Sequence, residues 1–165
     1  RRLAGGGAAL ATMTAPGADS RPAVVVRDGA FGDAEALSPL LAALGYPTTP
    51  AVARERMQQL LATDATARIL VGLVDGRVLG LMTLHVTPVI HRATAVGRIT
   101  VLVVLPEAQG TGVGRALVEE AERHFRALGL DRVEVTSGLT HVPAYDFYRH
   151  LGYLGHGVRF AKALV

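Results

Sequence analysis

Sorted into apolar and polar positions, the chain beyond residue 22 alternates between a two-residue and a three-to-four-residue period. The stretch AVVVRDG (23–29) is β-branched, ends in a turn, and predicts a first strand. In DAEALSPLLAALG (33–45), Ala36, Leu37, Leu40, Leu41 and Leu44 fall near helical spacing, and Gly45 marks the stop. Pro39 sits near the start of that helix or bends it. AVARERMQQLLAT (51–63) predicts a second helix with Val52, Met57, Leu60 and Leu61 as its apolar stripe. RILVGLVDG and RVLGLMTLHVT read as two strands joined by Asp75-Gly76, a hairpin signal. A fourth strand, RITVLVVLP, closes at Pro106. A helix then runs to about Leu128, with Leu117, Ala121, Phe125 and Leu128 on one face, and Gly129 ends it. DRVEVTS is expected as a fifth strand, VPAYDFYRHLG as a short helix and VRFAKALV as a last strand.

The order β-α-α-β-β-β-α-β-α-β implies an α/β domain. Its sheet is mixed and mostly antiparallel, with helices on both faces and one parallel crossover late in the chain. At 165 residues the chain holds one domain, placed at residues 23–165. Residues 1–22, rich in alanine and glycine, are expected to be a disordered or non-native extension, with Met13 as an alternative start.

Composition removes several classes. Without cysteine there is no disulfide framework, thiolate nucleophile or zinc–thiolate site, which suits a cytoplasmic protein. Seventeen basic against fourteen acidic residues is a small excess, and no Lys/Arg run with interleaved aromatics occurs, so nucleic acid is not an expected partner. The longest apolar run, Ile99 to Leu105, is far too short to span a membrane. His85, His91, His124, His150 and His156 lack metal-ligand spacing and read as surface or satisfied core residues; no metal is expected. Ser20, Ser38 and Ser137 sit in no nucleophile elbow.

The chemistry concentrates in PEAQGTGVGRALVEEAERHF (106–125), where Gly110, Gly112 and Gly114 alternate directly before a helix. The first-turn amides of a helix have no internal partner, and the dipole adds positive potential there. Glycines let a diphosphate approach those amides, and Arg115 adds a charge. The spacing fits neither the P-loop nor the G-x-G-x-x-G dinucleotide fingerprint. Taken alone, the triplet fits an ordinary turn and helix cap equally well.

Its neighbours are more specific. Gln109-Gly110-Thr111-Gly112-Val113-Gly114 matches the Q/R-x-x-G-x-G/A signature of the GNAT superfamily of N-acetyltransferases, and VEVTSGLTHVPAYDFYRHLGY resembles that family's later A-x-x-FY-x-x-LGY segment. The resemblance covers residues 23–164. It implies acetyl-CoA as cosubstrate, its pantetheine arm lying between splayed fourth and fifth strands against the backbone of Leu102, Val103 and Val104. It places the pyrophosphate on Gln109 to Arg115 (Gln109, Gly110, Thr111, Gly112, Val113, Gly114, Arg115), with His141 near a cofactor-contacting position. Tyr148 stands where relatives carry the acid that protonates the leaving thiolate. Glu134 is the leading candidate base, with an ion-paired surface role as its alternative.

The expected reaction is direct transfer, in a ternary complex, to a primary amine of a small molecule. Arg54, Arg56, His91, Arg92 and Arg98 suggest an acceptor with an anionic group. A protein or peptide acetyltransferase, or an acyl-CoA-binding module without turnover, are the other readings. The fold often pairs, so a homodimer is compatible.

Overall fold

The computed structural model describes residues 23–136, 142–155 and 160–164. The expectation for residues 1–22 lies outside them. Five strands, β1 (Val24–Asp28), β2 (Arg68–Val74), β3 (Arg77–Thr87), β4 (Val96–Val104) and β5 (Val133–Val135), form one sheet in sequence order. The first three pairings are antiparallel and β4–β5 is parallel, so the crossover occurs where the chain pattern placed it. It passes through α3 (Val113–Ala127).

The β2–β3 hairpin turns on Asp75 (φ 49°) and Gly76 (φ 75°), both in the left-handed region that a two-residue primed turn requires. Helices α1 (Ala34–Ala43) and α2 (Pro50–Thr63) cover one face of the sheet. There Leu37, Leu40 and Met57 close over Ile69, Val71, Leu81 and Val103. The other face takes α3 and α4 (Val142–His150), which pack with Leu70, Met82, Leu84 and Ile99. Among the described residues, no helix is long and apolar enough to cross a membrane.

Element ends follow local chemistry. Tyr46 N donates to Leu41 O at 2.8 Å, closing α1 over Gly45 (φ 96°). Thr49 caps α2 by accepting from Val52 N, and Pro50 occupies the first helical position, where no amide hydrogen is needed. The expected apolar stripe of α2 is corrected in part: Met57 is buried and Leu60 packs against the same core, but Ala53 is buried too, whereas Val52 and Leu61 are 36% and 38% exposed. Packing against α1 rotates the helix toward its small residue. On α3, Leu117, Ala121 and Phe125 are buried as expected, together with Val113 and Val118. Leu128 is instead the C-cap, half exposed beyond the last turn.

The expected final strand is not formed in the part that is described. Phe160–Leu164 carry no regular structure, and Phe160 and Leu164 are 91% and 92% exposed. Residues 158, 159 and 165 lie outside the described set. A β-prone segment needs an edge to pair with, and β5 offers only three residues.

Close approach of α3 to the sheet depends on Gly97. A Cβ there would stand 2.7 Å from three ring atoms of Phe125, which is itself 1% exposed and has nowhere to move. Gly97→Ala is expected to cost about 1–3 kcal/mol through overpacking, read as a lower midpoint in urea with an unchanged slope.

Candidate active site

Where β4 and β5 part, the sheet opens. The parallel register runs through Gly97↔Val133, Arg98↔Glu134 and Ile99↔Val135 and stops. Strand β4 continues from Thr100 to Val104 paired with β3 alone. A bulge begins the separation: Leu84 pairs with Ile99 and Thr83 with Val101, so Thr100 is the extra residue. Such an insertion bends its strand and raises the local twist. The Thr100 side chain stays on Thr83, hydroxyl to hydroxyl at 2.8 Å. Leu102, Val103 and Val104 therefore present a backbone edge with no strand beside it among the described residues.

That edge leads into the glycine loop. Gln109 Nε2 donates to Val104 O at 3.4 Å, and Thr111 Oγ1 donates to Ala108 O at 2.6 Å, tying the loop back on itself. Gly110 (φ 79°) and Gly112 (φ 98°) hold left-handed backbone, and a Cβ at either would meet nothing within 4 Å. Both are required by conformation, and open space lies in front of them. Gly114 is different: its missing Cβ would stand 3.3 Å from Phe147, so this glycine seats α4 rather than clearing room for a ligand. Gly112 is the N-cap of α3 and brings no side chain to its amides. The amides of Val113, Gly114 and Arg115 thus lie at a helix N-terminus with no side-chain cap, an arrangement able to receive an anion. Arg115 is exposed and only loosely held, 3.9 Å from Glu119.

Tyr148 lies on α4, half-buried, its ring 5.1 Å from Phe147 and 5.5 Å from Tyr153. It packs into the same apolar cluster as Leu102 and Val104. Burial pushes its phenol up to about 12, so it stays protonated across the neutral range. Glu134 is on β5, half-exposed. It accepts from Arg132 Nε at 2.8 Å and lies 3.3 Å from Arg98 Nη2. The Arg132 hydrogen bond, with the charge of Arg98, holds its carboxyl below the usual range, which makes it a weak base. His141 lies outside the described residues. Among those that are described, no cluster of three or more His, Asp or Glu side chains could hold a metal ion.

Residues 37–153 match the model of the acetyltransferase (GNAT) family. The chain belongs to that family. It is 34% identical, over 61% of its own length and 66% of the relative's, to an aminoalkylphosphonate N-acetyltransferase of Salmonella typhimurium. It is 37% identical, over 57% of its length and 26% of the relative's, to a mycothiol acetyltransferase of Pseudarthrobacter chlorophenolicus. The aligned part thus spans under two thirds of either curated relative. Among solved structures, an acetyltransferase of Trypanosoma brucei superposes with a TM-score of 0.71 at 26% identity, covering 86% of this chain and 100% of that one.

Within this GNAT fold, the structure also assembles a polar row that the sequence reading missed. Gly97, Ile99, Val133 and Val135 turn toward α3 and its core, so Arg98 and Glu134 stand on the opposite face of the sheet, the one on which α1 and α2 pack. His85, paired in register with Arg98, stands on that face too, with Thr83 two residues away. In RVLGLMTLHVT, Thr83 and His85 interrupt an apolar strand at the same parity, and that was the available signal.

Proposed function

We propose that the protein transfers an acetyl group from acetyl-CoA to the primary amine of a small molecule by direct attack in a ternary complex. The observation that carries this reading is the unpaired edge of β4 running into the Gly110–Arg115 amides. An extended amide-bearing arm fits the first, and a diphosphate fits the second. Leu102, Val103 and Val104 would hold the arm, and Gln109 to Arg115 the pyrophosphate. A backbone amide of β4 beyond the Thr100 bulge would steady the oxyanion on the thioester carbonyl. Tyr148 would serve the departing sulfur. Glu134 would fix Arg98 and Arg132 in place at the mouth of the gap.

The acceptor we favour carries an anionic group. Arg92, Arg98 and Arg132 stand against Asp131 and Glu134, leaving one positive charge in excess at the β4–β5 end. The Salmonella relative is named for an aminoalkylphosphonate.

The test follows release of free CoA thiol with a disulfide reagent, across amines with and without phosphonate or carboxylate groups. The protein has no cysteine and stays silent in that assay. Acceptor-dependent release supports the reading. Binding of acetyl-CoA with no release for any amine or peptide would instead favour a non-catalytic acyl-CoA module. Arg98→Gln is expected to raise KM for an anionic amine about 10- to 100-fold, the worth of one charged hydrogen bond, with kcat within about threefold. An amine without the anion should lose little.

A further inference from the structure

An amine acceptor arrives largely as an ammonium ion, with a pKa near ~10, and something must take its proton before nitrogen can attack. Glu134, held ionised by two guanidinium groups, is poorly suited. The opposite end of the same polar row carries a better arrangement. His85 Nδ1 lies 2.7 Å from Asp64 Oδ2, and Asp64 is the C-cap of α2. The other carboxylate oxygen of Asp64 accepts from Thr66 N at 2.8 Å and Thr66 Oγ1 at 2.6 Å. These bonds, that of His85 foremost, draw the Asp64 carboxyl down to about 2, so it accepts only. In the neutral ring Nδ1 therefore carries the hydrogen and Nε2 the lone pair, and Nε2 has no hydrogen-bond partner among the described residues. The ring is four-fifths covered, with 20% of the side chain exposed. It shares its face with Thr83, about 7 Å along the strand, whose hydroxyl meets Thr100 at the point where β4 leaves β5.

Resting on the acetyltransferase reading above, we propose that His85 is the proton acceptor of the reaction: Nε2 takes a proton from the acceptor's ammonium group, directly or across one water, while Asp64 positions the ring. The charges around it are Asp64 from α2, Arg98 from β4 and, beyond Arg98, Glu134 from β5. The freed amine forms a bond to the thioester carbonyl carbon. As the tetrahedral intermediate collapses, the C–S bond breaks and its electron pair leaves on sulfur. The second nitrogen proton ends on that sulfur, and the proton on His85 returns to solvent. One ammonium and one thioester thus give one amide, one thiol and one proton.

The decisive measurement is kcat/KM for the amine identified above, from about pH 5.5 to about pH 10, in the full chain and in His85→Gln. With a protein base taking the proton, wild-type kcat/KM should level off well below the pH at which the amine deprotonates itself. His85→Gln should fall about 100-fold near neutrality and then climb tenfold per pH unit, approaching the wild type as the amine deprotonates itself. Its affinity for acetyl-CoA should be unchanged. A His85→Gln profile that keeps the wild-type shape within about threefold would overturn the assignment, while leaving the acetyltransferase reading intact. Should His85→Gln fail to fold, Asp64→Asn decides: with the ring no longer held by a carboxylate, kcat/KM should fall about tenfold near neutrality and recover as pH rises and the amine deprotonates itself. A kcat/KM equal to wild type near neutrality counts against the proposal. Wild-type protein inactive toward every amine would sink the underlying reading instead.

Discussion

Tyr148→Phe is expected to lower kcat by about 100-fold or more while KM for acetyl-CoA stays within about threefold. The ring sits in the apolar cluster with Leu102 and Val104, and its hydroxyl has no hydrogen-bond partner among the described residues. Removing the oxygen therefore leaves packing intact and costs little stability. A phenol at about 12 is also a weaker acid than a free thiol near ~8.5. Complete proton transfer to the thiolate would be uphill by about 5 kcal/mol if the thiolate were solvated as in water. The apolar setting that raises Tyr148 raises the thiolate as well, bringing the two closer and letting the hydrogen bond strengthen as charge builds on sulfur. The loss should hence appear in the step that expels CoA. A variant with unaltered kcat in single-turnover kinetics would remove Tyr148 from the mechanism.

The same burial sets an alkaline limit. Because the folded state favours the neutral phenol, ionisation favours unfolding only once pH passes the unfolded value near ~10, and the associated stability is lost progressively up to about 12. Tyr148→Phe should flatten part of that alkaline slope in urea titrations.

The second large effect is expected at Gly112. Its φ of 98° is a conformation that a β-branched side chain scarcely adopts, and it is the cap from which the α3 amides emerge. In Gly112→Val the loop must either hold backbone strain of about 1–3 kcal/mol or relax and turn those amides aside. Either response weakens acetyl-CoA about 10- to 100-fold, measurable by calorimetry, with a smaller change in melting temperature. Nothing fills the space beside Gly112, so the fold itself has no clash to resolve. Affinity equal to wild type would mean that these amides do not carry the pyrophosphate. Gly114→Ala separates the two glycine roles: its new methyl presses on Phe147 at 3.3 Å and should disturb α4, and so kcat, more than cofactor affinity.

Much of this was legible in the chain. Period and punctuation placed five of the six expected strands and all four helices, because amphipathic faces and glycine stops are local properties. The sixth strand failed because strand propensity names no partner, and Phe160–Leu164 lie outside the sheet. The left-handed loop and the bare helix N-terminus of the glycine segment were legible too, since both are written in residue type. Which glycine does what was not: Gly112 shapes the loop, whereas Gly114 and Gly97 are small because Phe147 and Phe125 lie against them, contacts that join distant parts of the chain. The sequence alone determined the strand–glycine loop–helix unit, the absence of thiol chemistry and the family. Only the tertiary structure decided that Glu134 is bound by arginines, and that Asp64 and His85, 21 residues apart, meet at 2.7 Å on the face beside the open strand. Which face a strand residue takes, and what lies across it, is set by register and packing, and these are properties of the assembled sheet.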